Sequence, residues 1–335
     1  GWMPAGLAVV SLVACAFFTA FTGASGVTII ALGAILFPAM KQAGYPEKFN
    51  LGLVTSAGSL GLLFAPSLPL ILYGVVAEVP IESLFLAGLL PGFLMLVTLS
   101  GYSIWKNRAI RTPLGDFSWQ EVRSALRESM WEIPLPVVVL GGIYSGYFAI
   151  SEAAAVTALY VLIVDVAILK EVSLRKLPSI IRESMILVGG IMMILGVSRA
   201  STNFMIDAGV PQQLLQWISG FVNGEIAFML MLLLFLLILG AILDIFSAIV
   251  LVVPLILPIA TQFGVDPVHL GIVFLATMQL GYITPPVGLN LFIAGYRFDR
   301  PIVDIYFSTL PFFVILMISV ALIAFWPSLL SRIHI

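Results

Sequence analysis

The chain of 335 residues holds a single cysteine, two histidines and few charges. Cys15 lies inside an apolar run, which excludes a disulfide framework within the chain and any metal site built from cysteines. Asp, Glu, Lys and Arg make up 10% of the residues, where soluble domains carry about 25%. No Gly-rich phosphate loop ending in Lys-Ser or Lys-Thr occurs, so the sequence offers no support for nucleotide chemistry. What is abundant is apolar: 61% of residues are hydrophobic and the mean hydropathy is +1.15. These values describe a polytopic membrane protein, with an all-α fold because helices satisfy their own backbone in lipid. No signal peptide is visible, and the opening Gly1-Trp2-Met3 leads us to expect that the true N-terminus is missing.

A crossing needs roughly 20 apolar residues. The candidates are 52–76, 84–104, 133–149, 152–169, 184–206, 271–296 and 303–327. If each crosses once, the positive charges fall on one side. Lys41 and Lys48 precede the first candidate, and Lys106, Arg108, Arg111, Arg123 and Arg127 follow the second. Lys170, Arg175, Lys176 and Arg182 follow the fourth, and Arg297 and Arg300 the sixth. The opposite loops, 77–83, 150–151, 207–224 and 264–270, contain no Lys or Arg, so the basic side is expected to be cytoplasmic. In 116–131, Trp119, Val122, Leu126 and Met130 recur at helical spacing, which predicts an amphipathic helix along the inner surface. A second is expected at 173–185.

Two segments, Phe17–Tyr73 and Leu237–Ile293, share one pattern 220 positions apart. Each is an apolar run with a small or polar tip, followed by a second run broken at proline. The tips are Thr22-Gly23-Ala24-Ser25-Gly26 and Asp244-Ile245-Phe246-Ser247; the breaks are Ala65-Pro66-Ser67-Leu68-Pro69 and Thr284-Pro285-Pro286-Val287-Gly288. Without a gap, Pro38 falls on Pro258, Gln42 on Gln262, Gly44 on Gly264, Gly61 on Gly281 and Pro66 on Pro286. Five crossings separate the tips, so the repeats are expected to be inverted. Charge placement alone leaves re-entrant hairpins and complete spans both open; the small and polar tips favour re-entrant hairpins ending inside protein. Paired interruptions of this kind point to a transporter's binding site.

A helix broken inside a membrane exposes carbonyls at one new end and N–H groups at the other. Carbonyl ends with nearby hydroxyls suit Na+, and N-terminal ends suit carboxylates. The first tip offers Thr22, Ser25 and Thr28, and the first break Ser67; the second tip offers Asp244 and Ser247, and the second break Thr284 and Asn290. Asp244 between Leu243 and Ile245 reads as functional or as the cap of the following helix. Asp165 and Glu152 lie nearer span ends, where water is within reach. Arg199, near the outer end of its span, reads as snorkelling or as a partner for an anionic substrate.

At these residues the chain resembles the large membrane subunit of tripartite ATP-independent periplasmic (TRAP) transporters. The resemblance rests on Gly23-Ala24-Ser25-Gly26, Gly44-Tyr45, Ala65-Pro66-Ser67-Leu68-Pro69-Leu70-Ile71-Leu72-Tyr73-Gly74 and Ser151-Glu152-Ala153-Ala154-Ala155. It rests as well on Asp266-Pro267-Val268-His269 and on the specific run Ile283-Thr284-Pro285-Pro286-Val287-Gly288-Leu289-Asn290-Leu291-Phe292. Ala65 stands where the family often has Pro, and Ser151 where it often has Thr. The resemblance implies a sodium-driven organic-acid symporter with an elevator motion, with a small membrane (Q) subunit and a periplasmic substrate-binding protein as partners. It implies Na+ near Thr22, Gly23, Ser25, Thr28, Ala65 and Ser67, and near Asp244, Ser247, Thr284 and Gly288. Substrate is expected among Ser25, Pro66, Ser67, Ser247, Pro286 and Asn290. Family members carry further helices before the first hairpin, so the scaffold here is expected to be incomplete.

The expected organisation is a first repeat core at 5–76, connecting spans and arm helices at 77–183, and a span with an outer connector at 184–224. A second repeat core at 225–296 and a C-terminal span at 297–335 complete it. Beyond Na+ as coupling ion no cofactor is expected. Two other classes remain in view. A one-component dicarboxylate or citrate transporter shares such hairpins, and Gly23-Ala24-Ser25-Gly26 fits the pattern of an intramembrane serine protease. The protease needs a base within reach of Ser25, and the chain has only His269 and His334 to supply an imidazole. Sialic acids, C4-dicarboxylates, other sugar acids and amino-acid derivatives are all open as substrates.

Overall fold

The computed structural model describes residues 5–108, 118–145, 147–222 and 224–326. They fall into two compact units, one within 1–115 and 198–335, the other within 116–197. Among the described residues all the regular elements are helices.

The first unit begins with α1 (Gly6–Thr22) and α2 (Ser25–Gln42), joined by two residues and packed on each other. The turn is tight because Gly23 takes φ +66° and its N–H bonds the Thr19 carbonyl at 2.8 Å. That left-handed conformation costs glycine little and other residues more. Next, α3 (Glu47–Ala57) tightens into a 3-10 turn (Leu60–Leu63), breaks, and resumes as α4 (Leu68–Ala77), bent by 43°. The first candidate span therefore opens five residues earlier than its apolar run, at a helix start marked by Pro46 and Glu47. Then comes α5 (Ile81–Asn107).

The second unit holds α6 (Trp119–Glu128), α7 (Pro134–Tyr144), α8 (Ile150–Leu162), which runs into a π turn at Ile163–Ile168, and the start of α9 (Leu177–Asp207). Two expectations are corrected here. The stretch 133–149 forms only the 11-residue α7, about 16 Å long at 1.5 Å per residue and too short to cross alone. The chain turns there because the Phe148 ring lies where a Cβ on Gly142 would sit, at 2.1 Å, and the Phe148 N–H bonds the Gly142 carbonyl. The amphipathic stretch 173–185 is not a separate helix. Its residues from Leu177 onward are the first turns of α9, since Pro178 suits a helix start and no later proline interrupts it. The other amphipathic helix is α6, with Ser118 accepting from the Glu121 N–H at its start.

Back in the first unit are α10 (Val210–Ser219), α11 (Glu225–Ile242), α12 (Ile245–Gln262), α13 (Pro267–Gly281), α14 (Leu289–Phe298) and α15 (Ile302–Phe325). The packing of the two halves corresponds. α1 lies on the 3-10 turn before the first break, and α11 on α13 before the second. α2 packs on α14 of the other half, and α12 on α4. One end of the unit carries the basic residues: Glu47 pairs with Arg300 and, at 3.8 Å, with Lys41. At the other end the Tyr73 hydroxyl donates to the Pro267 carbonyl at 2.7 Å, and Asp266 caps α13 by accepting from the N–H groups of Val268 and His269.

Among the described residues, seven helices are long and apolar enough to cross a membrane, and the bent pair α3–α4 makes an eighth if counted as one span. α2, α11 and α12 are among the seven.

Candidate functional site

The first tip sits on both breaks. A Cβ on Gly23 would lie 2.8 Å from the Leu68 Cβ at the start of α4, and one on Gly26 would lie 2.5 Å from the Ile293 side chain of α14. Ser25, 4% exposed, donates its hydroxyl to Asn290 Oδ1 at 2.8 Å. Asn290 is fully buried; its amide donates to the Thr55 carbonyl at 3.3 Å and its N–H to the Tyr282 carbonyl at 3.0 Å. Tip, α3 and second break are thereby fastened at one amide. Behind them the hydroxyls of Thr19 and Thr28 pair at 2.6 Å across the hairpin, and Thr19 also lies 2.8 Å from the Gly58 carbonyl.

At the first break Ser67 is the residue before α4, fully buried, and its hydroxyl has no partner. The hydroxyl of Ser56 on α3 is likewise buried and unpartnered. Buried hydroxyls without partners are costly, so such oxygens are suited to a ligand. Neither α2 nor α4 has a side-chain cap. Ala65 is buried and Pro66 partly exposed beside it.

The second tip is built differently. Asp244 caps α12: one carboxylate oxygen accepts from the Ser247 N–H at 2.8 Å and the other from the Ser247 hydroxyl at 2.7 Å. The Ile245 N–H donates to the Tyr282 phenol oxygen at 2.6 Å. Gly288, at φ +56°, donates its N–H to the Ala241 carbonyl of α11 at 3.0 Å, tying break to hairpin. Pro285, Pro286 and Val287 face outward from this break.

The expected site residues thus separate into groups. Gly23, Ser25, Ala65, Pro66, Ser67 and Asn290 lie at the junction of the first tip and the breaks. Asp244, Ser247, Pro286 and Gly288 lie at the second. Among the described residues no hydrogen bond joins Asp244 or Ser247 directly to the first tip. Two hydroxyls are turned back on their own segment, Thr22 bonding the Phe18 carbonyl and Thr284 the Leu280 carbonyl, while Thr28 is taken up by Thr19 across the hairpin. Glu152 accepts from the Ala149 N–H at 3.1 Å, a helix-start contact. The Arg199 side chain and His334 lie outside the described residues. Ser25 has an amide oxygen as its partner rather than a base, and His269 bonds the Ala324 carbonyl at 3.1 Å. Sequence reasoning missed Thr19, Thr55, Gly58 and Tyr282. The polar pair Thr55-Ser56 inside an apolar helix was the available signal; Tyr282 gave none.

The family model for the DctM component of tripartite ATP-independent periplasmic transporters matches residues 1–329. The chain belongs to this family. Among its relatives is the isethionate TRAP transporter permease protein DctMQ of Oleidesulfovibrio alaskensis, 34% identical over 96% of the chain and 51% of that protein. Another is the C4-dicarboxylate TRAP transporter large permease protein DctM of Pseudomonas aeruginosa, 33% identical over 98% of the chain and 77% of the relative. The sialic acid TRAP transporter large permease protein SiaM of Vibrio cholerae is 31% identical over the same shares, 98% and 77%. The chain therefore spans about half of the first relative and about three quarters of the other two. Family membership and the seven apolar helices among the described residues together make the chain a multi-pass protein of the bacterial inner membrane.

Proposed function

We propose that the chain is the large permease of a binding-protein-dependent symporter, carrying an organic acid inward with Na+. What carries this reading is the Ser25–Asn290 bond, which brings the tip of one half onto the break of the other at a buried polar junction. The hairpins α1–α2 and α11–α12 act as re-entrant pairs in two inverted repeats, an inversion that rests on the reciprocal packing of α2 on α14 and α12 on α4, because the short α7 removes one of the five crossings counted between the tips. The unit that holds them moves as an elevator against a scaffold. A small membrane subunit completes the scaffold and a periplasmic binding protein delivers the acid. The substrates named for the relatives are isethionate, C4-dicarboxylates, sialic acid and the zwitterion ectoine; each carries a carboxylate or sulfonate, so the substrate here is a small organic acid with such a group.

The two tips take unequal roles. The start of α12 is already supplied with a carboxylate by Asp244 and with an acceptor by Tyr282, so little of its N-terminal field remains for a substrate. The starts of α2 and α4 lack side-chain caps, and the unpartnered Ser67 hydroxyl stands at the start of α4. The substrate's anionic group is received there. Na+, as cargo, is held by carbonyl and hydroxyl oxygens at each tip, with Asp244 giving the second site its charge.

The test is uptake of labelled organic acids into proteoliposomes holding the full-length permease with its small subunit, with and without an inward Na+ gradient and binding protein. Uptake that needs both supports the proposal; sodium-driven uptake without the binding protein makes this a one-component carrier. Asp244→Asn then separates cap from charge. Asn and Asp cap equally well, so a purely structural Asp244 predicts little change. A charge at the sodium site predicts that half-saturating Na+ rises about tenfold, the cost of one charge-assisted contact of about 1.5 kcal/mol or more.

A further inference from the structure

The start of α12 is held by a residue that the transport proposal above leaves without a role in the cycle. Tyr282 is the first residue beyond α13 and is 2% exposed. Its phenol oxygen takes the Ile245 N–H, one of the donors a helix start leaves free. Its backbone carbonyl takes the Asn290 N–H at 3.0 Å, and Asn290 Oδ1 takes the Ser25 hydroxyl at 2.8 Å. Three hydrogen bonds, joined through the covalent frames of Tyr282 and Asn290, thus link the second tip to the first. The neighbouring bond from Gly288 to the Ala241 carbonyl fixes the break to α11 but does not reach α12.

Resting on the proposal that the tips hold the ions and the acid, we propose that Tyr282 is the positioning residue that couples the two tips. A rigid phenol, buried on all sides, sets the distance from the α12 start to the second break. Asn290 sets the distance from the break to the first tip. A ligand that draws the second tip into place therefore also places Ser25. Ile245, Tyr282, Asn290 and Ser25 are all buried, so the links act together and the coupling fails as a unit when one bond is removed.

The experiment compares hydrogen exchange in the full-length wild-type permease and in Tyr282→Phe, which keeps the ring and removes the oxygen. We expect the Ile245 amide to exchange faster by about three- to tenfold, the size of one neutral hydrogen bond, and the Gly23 and Thr28 amides of the first tip to quicken with it. Faster exchange confined to Ile245 would make Tyr282 a local cap and overturn the proposal. Coupling is reciprocal, so Ser25→Ala should in turn quicken Ile245; an unchanged Ile245 would count equally against it. In the uptake assay Tyr282→Phe should lower the steepness of the Na+ dependence, and a variant with wild-type steepness would count against the coupling. Wild-type uptake indifferent to Na+ would defeat the transport reading alone, since the exchange measurement decides the link between the tips without it.

Discussion

Asn290→Ala is expected to abolish uptake, lowering it more than a hundredfold, and to lower the stability of the permease in detergent. The side chain is fully buried and serves two partners, the Ser25 hydroxyl and the Thr55 carbonyl. Truncation leaves both without a partner where no water reaches, at about 1–3 kcal/mol for each stranded group. It also opens a gap at the point where tip, α3 and α14 meet. Ser25→Ala removes one bond and strands only Asn290 Oδ1, the amide nitrogen keeping the Thr55 carbonyl, so it should cost about 1 kcal/mol, or roughly fivefold in affinity. Uptake titrations and melting midpoints for the two variants check the order. If Ser25→Ala proved the more damaging, the serine hydroxyl would be contacting cargo directly and not serving mainly as a fastener.

The places where the chain departs from plain apolar helix were legible in the sequence because each departure is local. Gly23 ends α1, Asp244 starts α12, and the prolines at 66 and 286 mark the breaks. A helix signal reads well over about one turn, and these are events of one turn. Lengths read less well. The run 133–149 is apolar throughout, yet hydropathy holds no record of Phe148 folding back on Gly142, which stops α7 at 11 residues. The junction was partly legible: Ser25, Ser67 and Asn290 stood out as polar residues at the interruptions. Their partners did not. Asn290 lies 265 positions from Ser25 and 235 from Thr55, so their pairing depends on how the halves approach. Tyr282 is hidden for a further reason, since a tyrosine at the end of an apolar helix looks like packing until its hydroxyl is seen at the start of α12.

Gly281→Ala is expected to be the most damaging single-methyl change in the second half. A Cβ there would stand 2.4 Å from the Gly240 carbonyl carbon, 2.5 Å from its Cα and 2.7 Å from the Ala241 nitrogen. All three are backbone atoms, so no side chain can swing aside, and α11 must move off α13. Small residues permit such backbone contact between membrane helices, and a methyl removes it. Overpacking of this sort costs about 1–3 kcal/mol even where neighbours can adjust. Here the displacement also pulls the Ala241 carbonyl from Gly288 and loosens the second tip. We expect a melting midpoint several degrees lower and a weakened Na+ dependence. Gly101→Ala in α5 is the control, because nothing lies within 4 Å of its Cβ and alanine favours the helix. A wild-type melting midpoint for Gly281→Ala would show that the helices part without cost and that their packing does not set the tip. The first half makes the same demand at Gly61, where a Cβ would meet the Ala16 carbonyl at 2.2 Å and the Ala20 nitrogen at 2.4 Å. Gly61→Ala should therefore separate α1 from the first break, and the hydrogen bond from the Thr19 hydroxyl to the Gly58 carbonyl should break before any other.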